Sequence, residues 1–255
     1  MADQRAEAFD VVVADDGSGP STRAVIDRWR ERLQIAHVWQ PDEGYGKARA
    51  LNLAALEARG QLLIFLDGDS IPRCSFLELI RKAALPGRFL VGKRLKIGSG
   101  LTRRVIERGL PVWRWSAAHW LLLRPHELRR PGFLLPGRDR RRPWREGQPE
   151  FEAPYGAYGV AFTVWRADFE HVNGYDMRFE GWGAEDAEIA VRLQHAGLRC
   201  GWPGPRSTIL HLCHPHKVKG RSNMSLLRET EASGRIEAVQ GLRELREEKR
   251  ADEGR

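Results

Sequence analysis

Leu62-Leu63-Ile64-Phe65-Leu66-Asp67-Gly68-Asp69 is an apolar run that ends in two acids held apart by a glycine. Such a run, bounded by turn formers, reads as a short buried strand. In extended chain, residues i and i+2 point the same way, so the carboxylates of Asp67 and Asp69 are expected to converge at the strand's C-terminal end. Gly68 lets a ligand come close. In open α/β sheets, ligands bind outside the carboxyl ends of strands. Two hard oxygen donors at that place suit Mg²⁺ or Mn²⁺ carrying a diphosphate. The plain alternative is a loop that merely caps the next helix.

The rhythm on either side supports an α/β class. Phe9 to Ala14 is a β-rich run that ends in Asp15-Asp16-Gly17-Ser18. Val25, Ile26, Trp29 and Leu33 recur at helical spacing, and Ile35 to Trp39 is a strand candidate. Leu51, Ala55 and Ala58 mark a helix ended by Gly60, and Phe76, Leu79, Ile80 and Ala83 mark another. Phe89 to Val91 is a further strand. This βαβαβ alternation predicts a mostly parallel central sheet flanked by helices. Residues 93–153 break the rhythm with Pro, Gly and Arg, and read as an insertion. Tyr158 to Val164 returns as a strand, and Ser207 to Leu212 is expected to be the last.

A second acidic cluster lies in Phe179-Glu180-Gly181-Trp182-Gly183-Ala184-Glu185-Asp186-Ala187-Glu188-Ile189-Ala190. Ile189, Ala190 and Leu193 begin a helical period that Gly197 stops. Glu185 and Asp186 therefore fall at a helix start, where the peptide dipoles favour negative charge. Flanking glycines leave room for something flat to approach Trp182. A stacking face beside carboxylates suits sugar binding and proton removal; a capped helix start with two dipole-friendly acids is the plain alternative.

Together these pieces resemble the family 2 glycosyltransferases with a GT-A fold. VVVADDGS (Val11 to Ser18), GKARALN (Gly46 to Asn52), IFLDGD (Ile64 to Asp69), NGYD (Asn173 to Asp176) and GWGAED (Gly181 to Asp186) fall in the family's order. The acceptor half is most similar to the galactosyltransferase C-terminal region shared with β-1,4-galactosyltransferases and bacterial chondroitin polymerase. Family members open with a strand and a PTYNR-type loop before the DDGS strand. Only eight residues precede Phe9 here, so that first βα unit is expected to be missing.

The resemblance implies an inverting, metal-dependent transfer from a UDP-sugar to a glycan or lipid-linked glycan. Asp15 or Asp16 would accept a hydrogen bond from a uracil N–H, against a plain Asp-Gly turn. Lys47, Arg49 and Asn52 open a helix, whose N-terminus suits phosphate, and would border the nucleotide. Asp67 and Asp69 look like the family's DxD metal site, with Asp69 the better direct ligand. The galactosyltransferase pattern completes its metal site with Met and His at the spacing of His211 and His214, and chondroitin polymerase matches the first His better. His216 is a weaker candidate. Asp186 would be the general base, taking the acceptor's proton; Glu185 would orient the acceptor sugar and Trp182 would stack on it.

One GT-A domain is expected over residues 1–223. It divides into a nucleotide and metal half (1–92), the Arg- and Trp-rich insertion (93–153) and an acceptor half (154–223). A charged helical tail, exposed and frayed, would follow (224–255). The 255 residues, 42% hydrophobic, suffice for one core. Cys74, Cys200 and Cys213 are too few and scattered for a disulfide framework and point to a reducing, cytoplasmic compartment.

The net charge of +8 is concentrated at Arg129, Arg130, Arg138, Arg140, Arg141, Arg142 and Arg145. That cluster reads as a solvated loop or as a contact for anionic lipid or acidic glycan; no nucleic-acid motif accompanies it. Leu110 to Leu123 carries Trp113, Trp115 and Trp120 and is too short and polar to span a bilayer. Residues 110–145 are thus a candidate for peripheral contact with the inner face of the plasma membrane, against a lid or core packing. Two rivals remain. A sugar nucleotidyltransferase would share the α/β core and acids but leaves GWGAED unexplained. A catalytically impaired binding or scaffold protein would account for the missing βα unit.

Overall fold

The computed structural model describes residues 1–116 (without Glu7 and Tyr45), 119, 161–214 and 221–254. Strands and helices alternate: β1 (Val11–Asp16), α1 (Pro20–Arg30), β2 (Ile35–Gln40), α2 (Lys47–Glu57), β3 (Leu62–Phe65), β4 (Ser70–Ile71) and α3 (Phe76–Ala83). There follow β5 (Arg88–Val91), β6 (Arg94–Lys96), α4 (Ser99–Arg108), β7 (Phe162–Trp165), α5 (Arg166–His171) and α6 (Glu185–His195). The chain closes with β8 (Arg199–Gly201), β9 (Ile209–His211), α7 (Arg221–Ser233) and α8 (Leu242–Glu253).

The α/β class holds, but the pairing is mixed rather than mostly parallel. β1 and β2 form a parallel pair, β3-β7-β5-β8 a four-stranded sheet and β4-β9-β6 a three-stranded one. β7 runs antiparallel to both β3 and β5. It enters after the long insertion, so no βαβ crossover dictates its direction. β5–β8 and β6–β9 remain parallel.

The largest core lies under the ends of β3 and α6. Phe65 closes β3, and its ring meets Phe169 at 5.3 Å and Tyr175 edge-on at 5.4 Å. Each such pair contributes about 0.5–1.5 kcal/mol beyond area burial. This cluster fixes Tyr175, which is fully buried. The turn before it bends through Asn173 (φ 60°) and Gly174 (φ 69°). A Cβ on Gly174 would sit 2.6 Å from Asn52 Oδ1, so only glycine fits both the conformation and the space.

Residues 224–255 are not an exposed tail, and the boundary at 223 cuts through α7. Leu227, Thr230, Leu242 and Leu245 are buried. α8 is fastened to the Asn173 turn: Leu242 N–H donates to Asn173 O at 3.0 Å, and Asn173 Nδ2 donates to Glu244 Oε2 at 2.9 Å. A few leucines set among charged residues are enough to dock both helices.

Asp176 ties the same turn together. Its fully covered side chain accepts from Arg178 Nη2 at 2.8 Å and from Val239 N at 3.2 Å. Burial pushes its pKa up, but the bonds from Arg178 outweigh burial and hold it below the ordinary 3.8. A carboxyl with a depressed folded-state pKa stabilises the fold above the unfolded value and loses that contribution as pH falls through the folded one. Asp176→Asn is therefore expected to lower stability at neutral pH by ~1–3 kcal/mol and to flatten the fall of melting temperature on acidification below about pH 4. Parallel melting curves for both proteins across that range would refute this role.

Candidate active site

Gly181 (φ 77°), Gly183 (φ 106°) and Ala184 (φ 74°) wind the chain through the left-handed region just before α6. The buried Asn223 on α7 holds this loop, donating Nδ2 to Gly183 O at 2.8 Å and to Gly181 O at 3.3 Å. Glu185 and Asp186 are thereby delivered to the first turn of α6, both buried. Two adjacent buried carboxylates repel and need a counter-charge. Lys47, the first residue of α2, supplies it. Its Nζ lies 2.9 Å from Glu185 Oε1, 2.9 Å from Asp186 Oδ2 and 3.5 Å from Asp67 Oδ1.

Titration follows this crowding. Burial alone would lower the Lys47 ammonium, but Asp186, Glu185 and Asp67 together raise it well above the usual 10.5. Burial and the neighbouring Asp186 push Glu185 upward, with Lys47 opposing. Burial likewise raises Asp67. The Tyr175 hydroxyl stands 3.5 Å from Asp186 Oδ1, and burial lifts its pKa well above 10. Glu185 Oε2 is buried without a hydrogen-bond partner, an acceptor available to a hydroxyl. Trp182 is half-buried in the same loop.

A second cluster stands at the edge of the three-stranded sheet. Asp69, His211 and His214 bring one ligand atom each to within 4.8 Å of one another. His211 Nε2 is 3.3 Å from Asp69 Oδ1 and His214 Nε2 is 3.2 Å from Asp69 Oδ2. The β4–β9 pairing sets this geometry by placing Ser70 opposite His211, and Leu212 N–H donates to Asp69 O at 3.1 Å. His211 Nδ1 lies 2.9 Å from Leu212 O, a bond that puts the proton on Nδ1 and leaves Nε2 its lone pair. Arg94 Nη1 faces that nitrogen at 3.4 Å. Burial lowers the pKa of His211 despite Asp69, which favours the neutral ring that binds metals. Asp69 Oδ1 is buried with no hydrogen-bond donor. One carboxylate and two imidazoles make a mixed oxygen and nitrogen donor set of the kind a divalent cation takes.

The two acids of the Asp67-Gly68-Asp69 stretch do not converge. β3 ends at Phe65, and Ser70 N–H closes a turn onto Asp67 O at 3.0 Å. The two-residue alternation stops with the strand, so Asp67 turns to Lys47 while Asp69 turns to the histidines. The expected metal role of Asp67 loses its geometric basis; Asp69, His211 and His214 are brought together. His216 lies outside the described residues.

Of the expected nucleotide residues, Asp16 and Arg49 share Gln40 next to the start of α2, beside Lys47, while Asn52 stands apart in the core. Asp15 accepts from Ser18 N–H at 2.8 Å and pairs with His37 Nε2 at 2.8 Å. Asp16 accepts from Gln40 Nε2 at 2.5 Å and from Gly46 N–H at 2.7 Å. Both acids tie β1 to its neighbours. Arg49 turns to Gln40 Oε1 and pairs with Glu248 at 2.7 Å. Asn52 is fully buried and clamps Tyr175, donating to its carbonyl at 2.8 Å and accepting from its N–H at 2.9 Å. Being sealed in the core, Asn52 cannot touch a nucleotide. Sequence reasoning assigned no role to Tyr175, Asn223 or the buried Arg192. Arg192 donates to Glu188 through Nε at 2.7 Å and to Gly174 O at 2.8 Å, fastening α6 to the Asn173 turn. The i, i+4 spacing of Glu188 and Arg192 was the available signal.

The Trp-rich stretch is described only in part. Trp113 and Trp115 pack with Leu95, Ile97, Leu101 and Val112, and Trp113 donates to Asp3. Trp120 and the arginines of 124–145 lie outside the described residues. Among the described residues, no helix is long and apolar enough to cross a membrane.

Comparison with known proteins places the chain among glycosyltransferases. The family model for glycosyl transferase family 2 matches residues 1–137, and one described as the N-terminal domain of galactosyltransferase matches residues 145–217. Validoxylamine A glucosyltransferase of Streptomyces hygroscopicus subsp. jinggangensis is 31% identical over 209 residues, 75% of this chain and 45% of that protein. Polypeptide N-acetylgalactosaminyltransferase 6 of Bos taurus is 26% identical over 195 residues, 74% of this chain and 30% of that protein. The chain thus spans less than half the length of these relatives.

Among solved structures, S. aureus TarS 1-349 in complex with UDP aligns with a TM-score of 0.59 at 15% identity, over 95% of this chain and 61% of that one. GalNAc-T7 with UDP, GalNAc and Mn²⁺ aligns with a TM-score of 0.55 at 20% identity, over 87% of this chain and 41% of that one. These neighbours share the GT-A fold. Matched by that family model over more than half of its length, the chain belongs to glycosyl transferase family 2.

Proposed function

We propose that the protein is an inverting, metal-dependent glycosyltransferase that moves a sugar from a UDP-sugar to a glycan or lipid-linked glycan. One observation carries this reading: the cation-ready Asp69, His211 and His214 are joined to the acid pair Glu185 and Asp186 through Asp67, whose charge feels both Asp69 and Asp186. Asp67 links them, two residues from Asp69 and 3.5 Å from Lys47 Nζ. Neither a sugar nucleotidyltransferase nor a scaffold accounts for a buried acid pair beside such a cluster. Similarity to TarS crystallised with UDP, and to GalNAc-T7 crystallised with UDP and Mn²⁺, supports the choice of donor and metal.

The chemistry then follows from the side chains. The acceptor hydroxyl attacks the anomeric carbon from the face opposite UDP, and the bond from that carbon to the diphosphate breaks. Asp186 takes the hydroxyl proton, because a carboxylate within hydrogen-bond reach is what the step requires. Glu185 receives an acceptor hydroxyl on Oε2, and Trp182 stacks on the acceptor ring. Asp69, His211 and His214 would hold Mn²⁺ or Mg²⁺, which offsets charge building on the departing UDP. Asp15 and Asp16 shape the floor for the base. The absence of a disulfide framework and the basic stretch 110–145 support a cytoplasmic protein that touches the inner membrane face.

A thermal-shift scan tests this reading. UDP with Mn²⁺ is expected to raise the melting temperature, by up to ~2.7 kcal/mol of stabilisation at a hundredfold excess over the dissociation constant. ADP, GDP, CDP and nucleoside triphosphates should do markedly less. Equal stabilisation by all of them, or none with UDP at any Mn²⁺ concentration, would sink it.

A further inference from the structure

We infer that Lys47 is the positioning residue of the acid pair, and not a ligand of the donor's phosphates; this rests on the reading of the site just given. An ammonium has three N–H donors. Three carboxylates stand around this one: Glu185 and Asp186 at 2.9 Å each and Asp67 at 3.5 Å. Hydrogen bonds to Glu185 and Asp186 take two of the three donors, and the Asp67 carboxylate competes with any phosphate for the third. The side chain is largely covered, at 19% exposure, and Glu185 and Asp186 beneath it at 5% and 12%. Withdrawing the ammonium would leave adjacent buried carboxylates uncompensated, a costly state.

α2 also reaches Asp186 by a second route. Asn52, five residues beyond Lys47, clamps the Tyr175 backbone through both its N–H and its carbonyl. Tyr175 in turn sets its hydroxyl 3.5 Å from Asp186 Oδ1. Thus one helix addresses both oxygens of Asp186, Oδ2 through Lys47 and Oδ1 through Asn52 and Tyr175. Helix α2 thereby sets the rotamer of the proton-accepting carboxylate, and the basic residue at its N-terminus serves the acceptor half.

The test uses the full chain, with UDP and Mn²⁺ binding measured by calorimetry. Turnover is read as UDP release from UDP-glucose, UDP-galactose and their N-acetyl forms, with water as acceptor. Lys47→Met is expected to leave UDP affinity unchanged while UDP release at saturating donor falls at least about tenfold, since misplacing a reacting group by ~1 Å costs up to ~10²-fold. Its melting temperature should drop by several degrees at neutral pH. That drop should largely vanish when Lys47→Met is placed in a Glu185→Gln/Asp186→Asn background, where no charge needs pairing. Lys47→Arg, which keeps the charge but not the compact ammonium, should recover melting temperature more than turnover and covers the case in which Lys47→Met fails to fold.

If UDP affinity falls with turnover at saturation intact, Lys47 is a phosphate ligand and the inference is overturned. Equal melting losses in both backgrounds would also overturn it. A wild-type protein that neither binds UDP nor releases it refutes the transferase reading instead, while the melting comparison still reports on the contact.

Discussion

Turnover of the Asp186→Asn variant is expected to fall ~10²–10⁴-fold at saturating donor and acceptor, the usual worth of general-base help. Asparagine keeps the shape of the side chain and can still meet the Tyr175 hydroxyl, but it cannot take a proton. The loss should appear in kcat and kcat/KM alike, as for an interaction made only in the transition state. Trp182→Ala should behave differently. Stacking holds the acceptor in the ground and transition states equally, so its acceptor KM should rise with kcat little changed. Near-full turnover by Asp186→Asn would exclude Asp186 as the base and pass the role to Glu185, whose Oε2 is the buried oxygen without a partner.

The parts legible in the sequence are those set by local physics. The strand Leu62–Phe65 shows itself as an uninterrupted apolar run, and the start of α6 at Glu185 is announced by glycines, acids and the helical period behind them. The pairing of Asp67 with Asp69 was misread because two-residue alternation was carried past Phe65 into a turn. Asn52 sits in the helix whose N-terminus suits a phosphate, yet its partner is the backbone of Tyr175, far along the chain. Asn223 left no local trace at all. It is one asparagine in a polar stretch, and its role exists only once α7 lies against the Gly181–Ala184 loop. The docking of α8 was hidden for a related reason. Two buried leucines among charges look like a solvated helix until the Asn173 turn offers them a place to pack.

The metal cluster joins local and distant signals, and it carries the second large expected effect. Asp69→Ala should abolish Mn²⁺-dependent UDP binding while leaving the fold intact. The fold survives because the backbone of Asp69, not its side chain, accepts the Leu212 N–H that pins the strand. The binding fails because Asp69 is the sole carboxylate of the described cluster and touches both imidazoles, at 3.3 Å and 3.2 Å. Two imidazoles alone offer a divalent cation no anionic partner, and carboxylate is the ligand type that suits Mn²⁺. His211→Ala and His214→Ala should each raise the Mn²⁺ requirement at least about tenfold, since losing even an outer-shell partner costs ~10–100-fold in metal affinity. Asp67→Ala separates the two acids: it should leave Mn²⁺ affinity largely in place, since its carboxylate faces Lys47. Calorimetry of UDP binding across a Mn²⁺ titration reads all four variants. If Asp69→Ala binds UDP with unchanged Mn²⁺ dependence while Asp67→Ala does not, the cation sits at Asp67, and the cluster of Asp69 with the two histidines is structural.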